Sequence, residues 1–209
     1  MEQQFQYYAF ISYKREDEQW AKWLQDRLRW YKLPSKLCRQ ITRLPKKVWP
    51  VFRDNTDLDS GRLEENIRHE LERSHYLIVI CSPEAARSPW VGKEVKYFAT
   101  LHGADKIIPF VVSGIPYSND IETECIHEQI KAISQEELLA INVREEGIGS
   151  FAMKKKRAFI RVVARLLDIK FNTLWQPYER ILRIRKWSTG IGVVFILIRF
   201  IHLVGLLPD

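Results

Sequence analysis

Within Ser88-Pro89-Trp90-Val91-Gly92-Lys93-Glu94 an indole and a carboxylate stand four residues apart. On a helix that spacing places Trp90 and Glu94 on one face. Ser88 is a good helix cap, and Pro89 suits the first helical position. Just upstream, Tyr76-Leu77-Ile78-Val79-Ile80 is a continuous apolar run, the signature of a strand covered on both faces in a parallel sheet. Glu94 therefore falls near the carboxyl edge of such a sheet, where open α/β folds bind ligands. An apolar neighbour and partial burial would raise the pKa of its carboxyl. The same spacing suits a solvated glutamate on an amphipathic helix beside a half-buried tryptophan, and spacing alone leaves both readings open.

Other residues with chemical potential are less organised. Asp54, Asp57 and Asp59 have the look of a calcium loop but lack a glutamate at loop position twelve and the flanking helices, so no metal is expected. His69, His75, His102 and His127 share no spacing with acids or cysteines. Cys38, Cys81 and Cys125 have no metal-ligand spacing and form no even disulfide framework, which fits a reducing compartment. There is no glycine-rich phosphate loop of the dinucleotide-fold or P-loop type.

The elements that must position Glu94 alternate in type. Gln6 to Tyr13 reads as a first strand, and Lys14-Arg15-Glu16-Asp17 as the loop after it. Asp17 can cap a helix carrying Trp20, Trp23, Leu24, Leu28 and Tyr31 at helical spacing, ended by Pro34. Ser35 to Lys47 reads as an irregular basic connection. Val48 to Phe52 is a short strand that Pro50 assigns to a sheet edge. The polar loop from Arg53 to Arg62 follows, then a helix of about 63–74 with Leu63, Ile67 and Leu71 on one face. After the Tyr76 strand and the Glu94 helix come a strand at Lys106–Val112, a loop-rich stretch at Ser113–Gln135, a strand at Leu138–Val143 and a helix from Phe151 to about Phe171. This alternation predicts an α/β fold with a parallel sheet and helices on both faces.

Composition bounds the rest. The chain has 209 residues, 46% apolar and 28% charged, enough for one domain and an appendage. Its net charge of +7 favours phosphates or an anionic membrane surface. Much of that charge is local, in Lys154-Lys155-Lys156-Arg157 and in Arg180, Arg183, Arg185 and Lys186, so nucleic acid is not expected as a partner. Trp187 to Leu207 is apolar and about 21 residues long, enough to span a bilayer core, although it contains Arg199 and His202. A buried or interfacial helix is the alternative. The preceding basic cluster puts the amino-terminal side in the cytoplasm, making a single-pass protein anchored by its tail.

Three segments together carry a family resemblance. Tyr8-Ala9-Phe10-Ile11-Ser12-Tyr13 resembles the first box of TIR (Toll/interleukin-1 receptor) domains. Phe52-Arg53-Asp54, followed by Leu58-Asp59-Ser60-Gly61, resembles that family's second strand and BB loop. Ser88 to Glu94 resembles its Trp-x-x-x-Glu helix. The departures are the long basic connection and Val91, where many members have Cys. The resemblance implies a flavodoxin-like TIR fold with a five-stranded parallel sheet over 1–170. A basic juxtamembrane linker at 171–186 and a transmembrane helix at 187–207 would follow. It also implies the bacterial members' activity, cleavage of NAD+ at the nicotinamide–ribose bond, with NAD+ as substrate and no cofactor. Glu94 would be the catalytic carboxylate, and Phe10, Lys14, Arg15, Asp59, Gly61, Leu63 and Trp90 would line the NAD+ site. Partners would be TIR domains, through self-association or with others, and the membrane. Lys14 and Arg15 equally suit surface charges, Asp59 a helix cap and Gly61 a left-handed turn. Many animal members are adaptors without turnover, so a non-catalytic interaction module is the alternative. A related deoxyribosyltransferase is a third reading.

Overall fold

The structure, a computed structural model, describes residues 5–41, 44–45, 47–53, 62–133, 140–144 and 149–176. The chain divides into two compact units, Met1–Asp168 and Ile169–Asp209. Within the described part of the second, Phe171 stacks on Trp175 at 5.5 Å between ring centroids. The transmembrane helix expected at 187–207 lies outside the described residues, among which no helix is long and apolar enough to cross a membrane.

Among its described residues the first unit is built on five parallel strands: β1 (Tyr7–Ser12), β2 (Val51–Arg53), β3 (Ser74–Cys81), β4 (Ile107–Val111) and β5 (Ile141–Asn142). Their order is β2-β1-β3-β4-β5, the doubly wound order of flavodoxin-like folds. The α-helices are α1 (Glu18–Trp30), α2 (Ser35–Gln40), α3 (Arg62–Glu72), α4 (Pro83–Ala86), α5 (Pro89–His102), α6 (Glu128–Ile133) and α7 (Phe151–Leu166).

Alternation along the strands assigns each side chain to a face. Phe10, Leu77, Val79, Cys81, Ile107 and Val111 face the α3–α5 layer, where Ile67, Leu71, Val91, Val95 and Phe98 complete one core. On the other face, Trp23 of α1 stacks on Phe110 and meets Phe159 of α7 edge-on. Lys155 of α7 lies over the Trp20 and Trp23 rings, 4.3 and 4.2 Å from their centroids, so cation–π attraction helps close the α1–α7 seam.

Some boundaries differ from the sequence reading, for local reasons. The connection after Pro34 is not wholly irregular: it holds α2, pinned by the buried Leu37. The second strand starts only after Pro50, whose carbonyl accepts the Tyr8 N–H, and it lies at the sheet edge as the proline requires. Ser82 does more than end a strand: its hydroxyl caps α4 by accepting the Ala85 N–H at 3.0 Å. Pro109 stands inside β4, and β5 pairs with that strand only from Phe110 onward, past the residue that has no N–H to give. The final helix stops at Leu166, short of Phe171, with Asp168 at φ 50° turning the chain away. Gly103 ends α5 at φ 87°, a conformation open to glycine, and donates its N–H to Ala99.

Candidate active site

In this strand order the direction of winding reverses beside β1, and its gap with β3 is the switch point where such folds place ligands. Ser12 ends β1 there, and Ser82 follows the end of β3. Helix α5 opens at Ser88, whose hydroxyl accepts the Val91 N–H at 3.4 Å. The cap and Pro89 set the helix start, and Glu94 follows one turn after Trp90, reaching back toward β1.

Glu94 is buried, at 6% exposure, and its Oε2 accepts a 2.5 Å hydrogen bond from the Ser12 hydroxyl. A buried carboxylate needs such a partner to offset its lost hydration. Beside it opens a cleft of about 300 Å³ between α3 and α5, lined by Ile67, Arg68, Leu71, Trp90, Glu94 and Tyr97 among others. That volume is at the lower end of the range for small-molecule sites. Trp90 is half-buried in its wall, with the Lys93 ammonium 5.4 Å from its ring centroid. The mouth is cationic, with Arg68 over the Tyr97 ring at 5.4 Å and Lys93 and Lys96 exposed.

The remaining expected residues divide. Phe10 is wholly buried and stacks on Phe52 at 5.2 Å, so it shapes the core behind the site. Lys14 is half-buried in an extended conformation just past β1, and Arg15 is exposed at the start of a 3-10 turn. Asp59 and Gly61 lie outside the described residues, as does the side chain of Leu63.

Ser12 was not singled out by the sequence reading. Its signal was present, because it lies two residues after Phe10 and so shares the sheet face that α5 covers. A second buried pair stands at the same edge, where the Ser82 hydroxyl donates to Asp17 Oδ2 at 2.5 Å. Asp17 does not cap α1 through its side chain as expected; the β3 side of the switch point holds it instead. Burial pushes the Asp17 carboxyl up, against the pull of the Ser82 hydrogen bond. Arg53, at the end of β2, donates to Tyr13, Glu18 and Gln25, tying β2 to α1.

Gly92 has a packing reason. A β-carbon there would meet His127 Cε1 at 2.5 Å and Nε2 at 2.7 Å. His127 is buried and satisfied: its Nδ1 accepts the Gln129 N–H at 3.0 Å, which leaves Nε2 to donate to the Ser88 carbonyl at 3.1 Å. The ring is thus the neutral Nε2–H tautomer, and burial holds its pKa below the usual value. Burial also pushes Cys125 up to about 12 and holds Cys81 well above its ordinary value, so both thiols stay protonated. Among the described residues no group of His, Cys, Asp and Glu could hold a metal ion.

A family model described as "TIR domain" matches residues 9–146. The NAD(+) hydrolase ApTIR of Actinoplanes sp. is 36% identical over 110 residues, which are 52% of this chain and 14% of that protein. The present chain thus spans a small part of that relative's length. Among solved structures, the TIR domains of the activated Roq1 resistosome directly recognising the pathogen effector XopQ are 14% identical, with a TM-score of 0.47. The match covers 74% of this chain and 98% of that one.

Proposed function

Because this chain belongs to the TIR-domain family, we propose that it is an NAD+ glycohydrolase with Glu94 as its catalytic carboxylate. It would release nicotinamide and ADP-ribose, or a cyclic form of the latter. The observation that carries this reading is the buried Glu94, held by Ser12 at the switch point of the sheet and opening on a cleft. The similarity to a TIR protein named an NAD(+) hydrolase supports it.

The chemistry asks for one acid, and the site offers one. In NAD+ the pyridinium nitrogen already carries positive charge, so the C1′–N bond breaks with its electron pair going to nitrogen and needs no general acid. The positive charge passes to the ribose as an oxocarbenium ion, as in glycoside hydrolysis. A carboxylate already fixed beside the cleft stabilises that charge without reorganising. Ser12 holds one oxygen of Glu94 in place. Water, or an adenine nitrogen in the cyclic outcome, then attacks C1′, and water attack releases a proton.

The reading includes a membrane tether through residues 187–207, with the TIR domain on the cytoplasmic side, and activation by TIR self-association in bacterial defence or signalling. The apolar run from Trp187 to Leu207 and the basic cluster before it support the tether. The test is nicotinamide release by the full chain in vesicles at rising protein density. Wild type is expected to release it, and Glu94→Gln to lose nearly all activity while keeping its fold. No release at any density, or equal release by the variant, defeats the enzyme reading. The second reading, an interaction module without turnover, draws on the same Ser12–Glu94 bond, which also suits a carboxylate that merely pins α5 to β1. It expects Glu94→Gln to alter stability alone.

A further inference from the structure

We propose that the pole of the sheet opposite the catalytic edge carries a docking surface for anionic phospholipid headgroups, centred on Trp30. The proposal deepens the membrane part of the reading above and uses none of its chemistry.

The placement follows from topology. The strands are parallel, so α1 runs against them and ends at their amino-terminal pole. Trp30 is its last residue, and Trp49 immediately precedes the turn into β2 at the same pole. The Arg29 guanidinium lies over both rings, 5.4 Å from the Trp30 centroid and 5.7 Å from that of Trp49. Helix α7 runs the same way as α1, with Trp20 meeting Phe151 near their starts and Tyr31 meeting Phe159 further along. The first unit therefore ends, at Asp168, on this pole. The Lys and Arg cluster and the long apolar run come after it in sequence.

Trp30 is 75% exposed, the most exposed large hydrophobic residue among those described. A single exposed apolar side chain is unremarkable on a protein surface. Here, however, the segment that carries the indole is strongly basic. Between Asp26 and Trp49 the sequence has eight basic residues and one acidic, a net +7 that equals the net charge of the whole chain. Arg27, Arg29, Lys32, Arg39 and Lys47 are exposed. An exposed indole under a guanidinium, on a segment with further exposed cations, is the pairing that suits a membrane–water interface, the ring lying at headgroup depth and the cations facing lipid phosphates. A domain docked on this pole would keep Ser12 and the start of α5, with Trp90, on the side away from the bilayer.

The experiment uses the full chain with a photoreactive aromatic residue at position 30, or, as control, at position 121. Ile121 is 74% exposed and follows β4 at the opposite, carboxyl pole. Each is mixed with vesicles of phosphatidylcholine alone or with phosphatidylglycerol. Position 30 is expected to cross-link lipid severalfold more on the anionic vesicles, position 121 is expected not to, and high salt or the double change Arg29→Glu with Lys32→Glu abolishes the difference. In the unmodified chain, hydrogen exchange over residues 27–33 is expected to slow on anionic vesicles only. The tail would hold the chain on either vesicle, so these readouts report the pole and not the tether. Equal lipid cross-linking from both positions, no dependence on phosphatidylglycerol, cross-linking of position 30 to a second copy, or protection of 27–33 by nucleic acid and not by lipid would each overturn the proposal.

Discussion

Ser12 and Glu94 are 82 positions apart in sequence and meet at 2.5 Å. Glu94 is nearly wholly buried, so its rotamer depends on that bond as well as on packing. A hydrogen bond to an ionised group is worth about 1.5–3 kcal/mol, which in a transition state corresponds to about one to two orders of magnitude in rate. Ser12→Ala is therefore expected to lower kcat for NAD+ cleavage by about tenfold or more, with KM little changed and Ser12→Thr restoring part of the loss. Steady-state assays on folded variants check this. An unchanged kcat in Ser12→Ala would mean that the bond only holds the fold.

At the scale of elements, α5 is fastened at its amino end by Ser88 and by His127, which reaches from just before α6 to the Ser88 carbonyl. Protonating His127 would cost the Gln129 hydrogen bond, since Nδ1 then has no lone pair to accept with. Its pKa is lowered in the fold, so the unfolded chain takes up a proton first as pH falls. This part of the stability is complete above the ordinary value of 6.5 and is lost as pH drops through the folded value. His75 and His102 are lowered by burial too and act in the same direction. The melting temperature should fall below pH 6.5 and fall less steeply in His127→Gln; parallel profiles would remove His127 from the account. Gly92→Ala tests the same joint. Alanine favours the helix by up to about 1 kcal/mol, but overpacking against a pinned ring costs about 1–3 kcal/mol, so the strain should win. Chemical denaturation is expected to show a net loss of about 1 kcal/mol, and a stabilised variant would show that the ring moves freely.

At the scale of the molecule, the parallel sheet separates two poles. The carboxyl pole holds Ser12, Ser82, Asp17 and the Trp90 end of a cleft that runs along α3 and α5, and the amino pole holds Trp30 with the Arg29 guanidinium over its ring. If activity depends on self-association, as proposed, specific activity should rise with protein density on the vesicle. A rate strictly proportional to protein over a wide density range would show that a lone chain is competent.

What the sequence determined by itself is the part written in local pattern. The apolar run at Tyr76–Ile80, the Ser88-Pro89 helix start and the Pro50 edge strand each follow from backbone sterics and burial over a few residues, and each is found in the structure. The four-residue spacing alone puts Trp90 and Glu94 on one helix face. Tertiary structure alone decided which partner each polar side chain took. Asp17 was a plausible cap beside its own helix, yet Ser82, 65 positions away, claimed it. Alternation put Ser12 on the face of Phe10, but only α5 lying across β1 gave it Glu94 as its partner. The physical reason is that a buried polar group must find its complement wherever the chain's packing puts one, and sequence separation has no bearing on that distance.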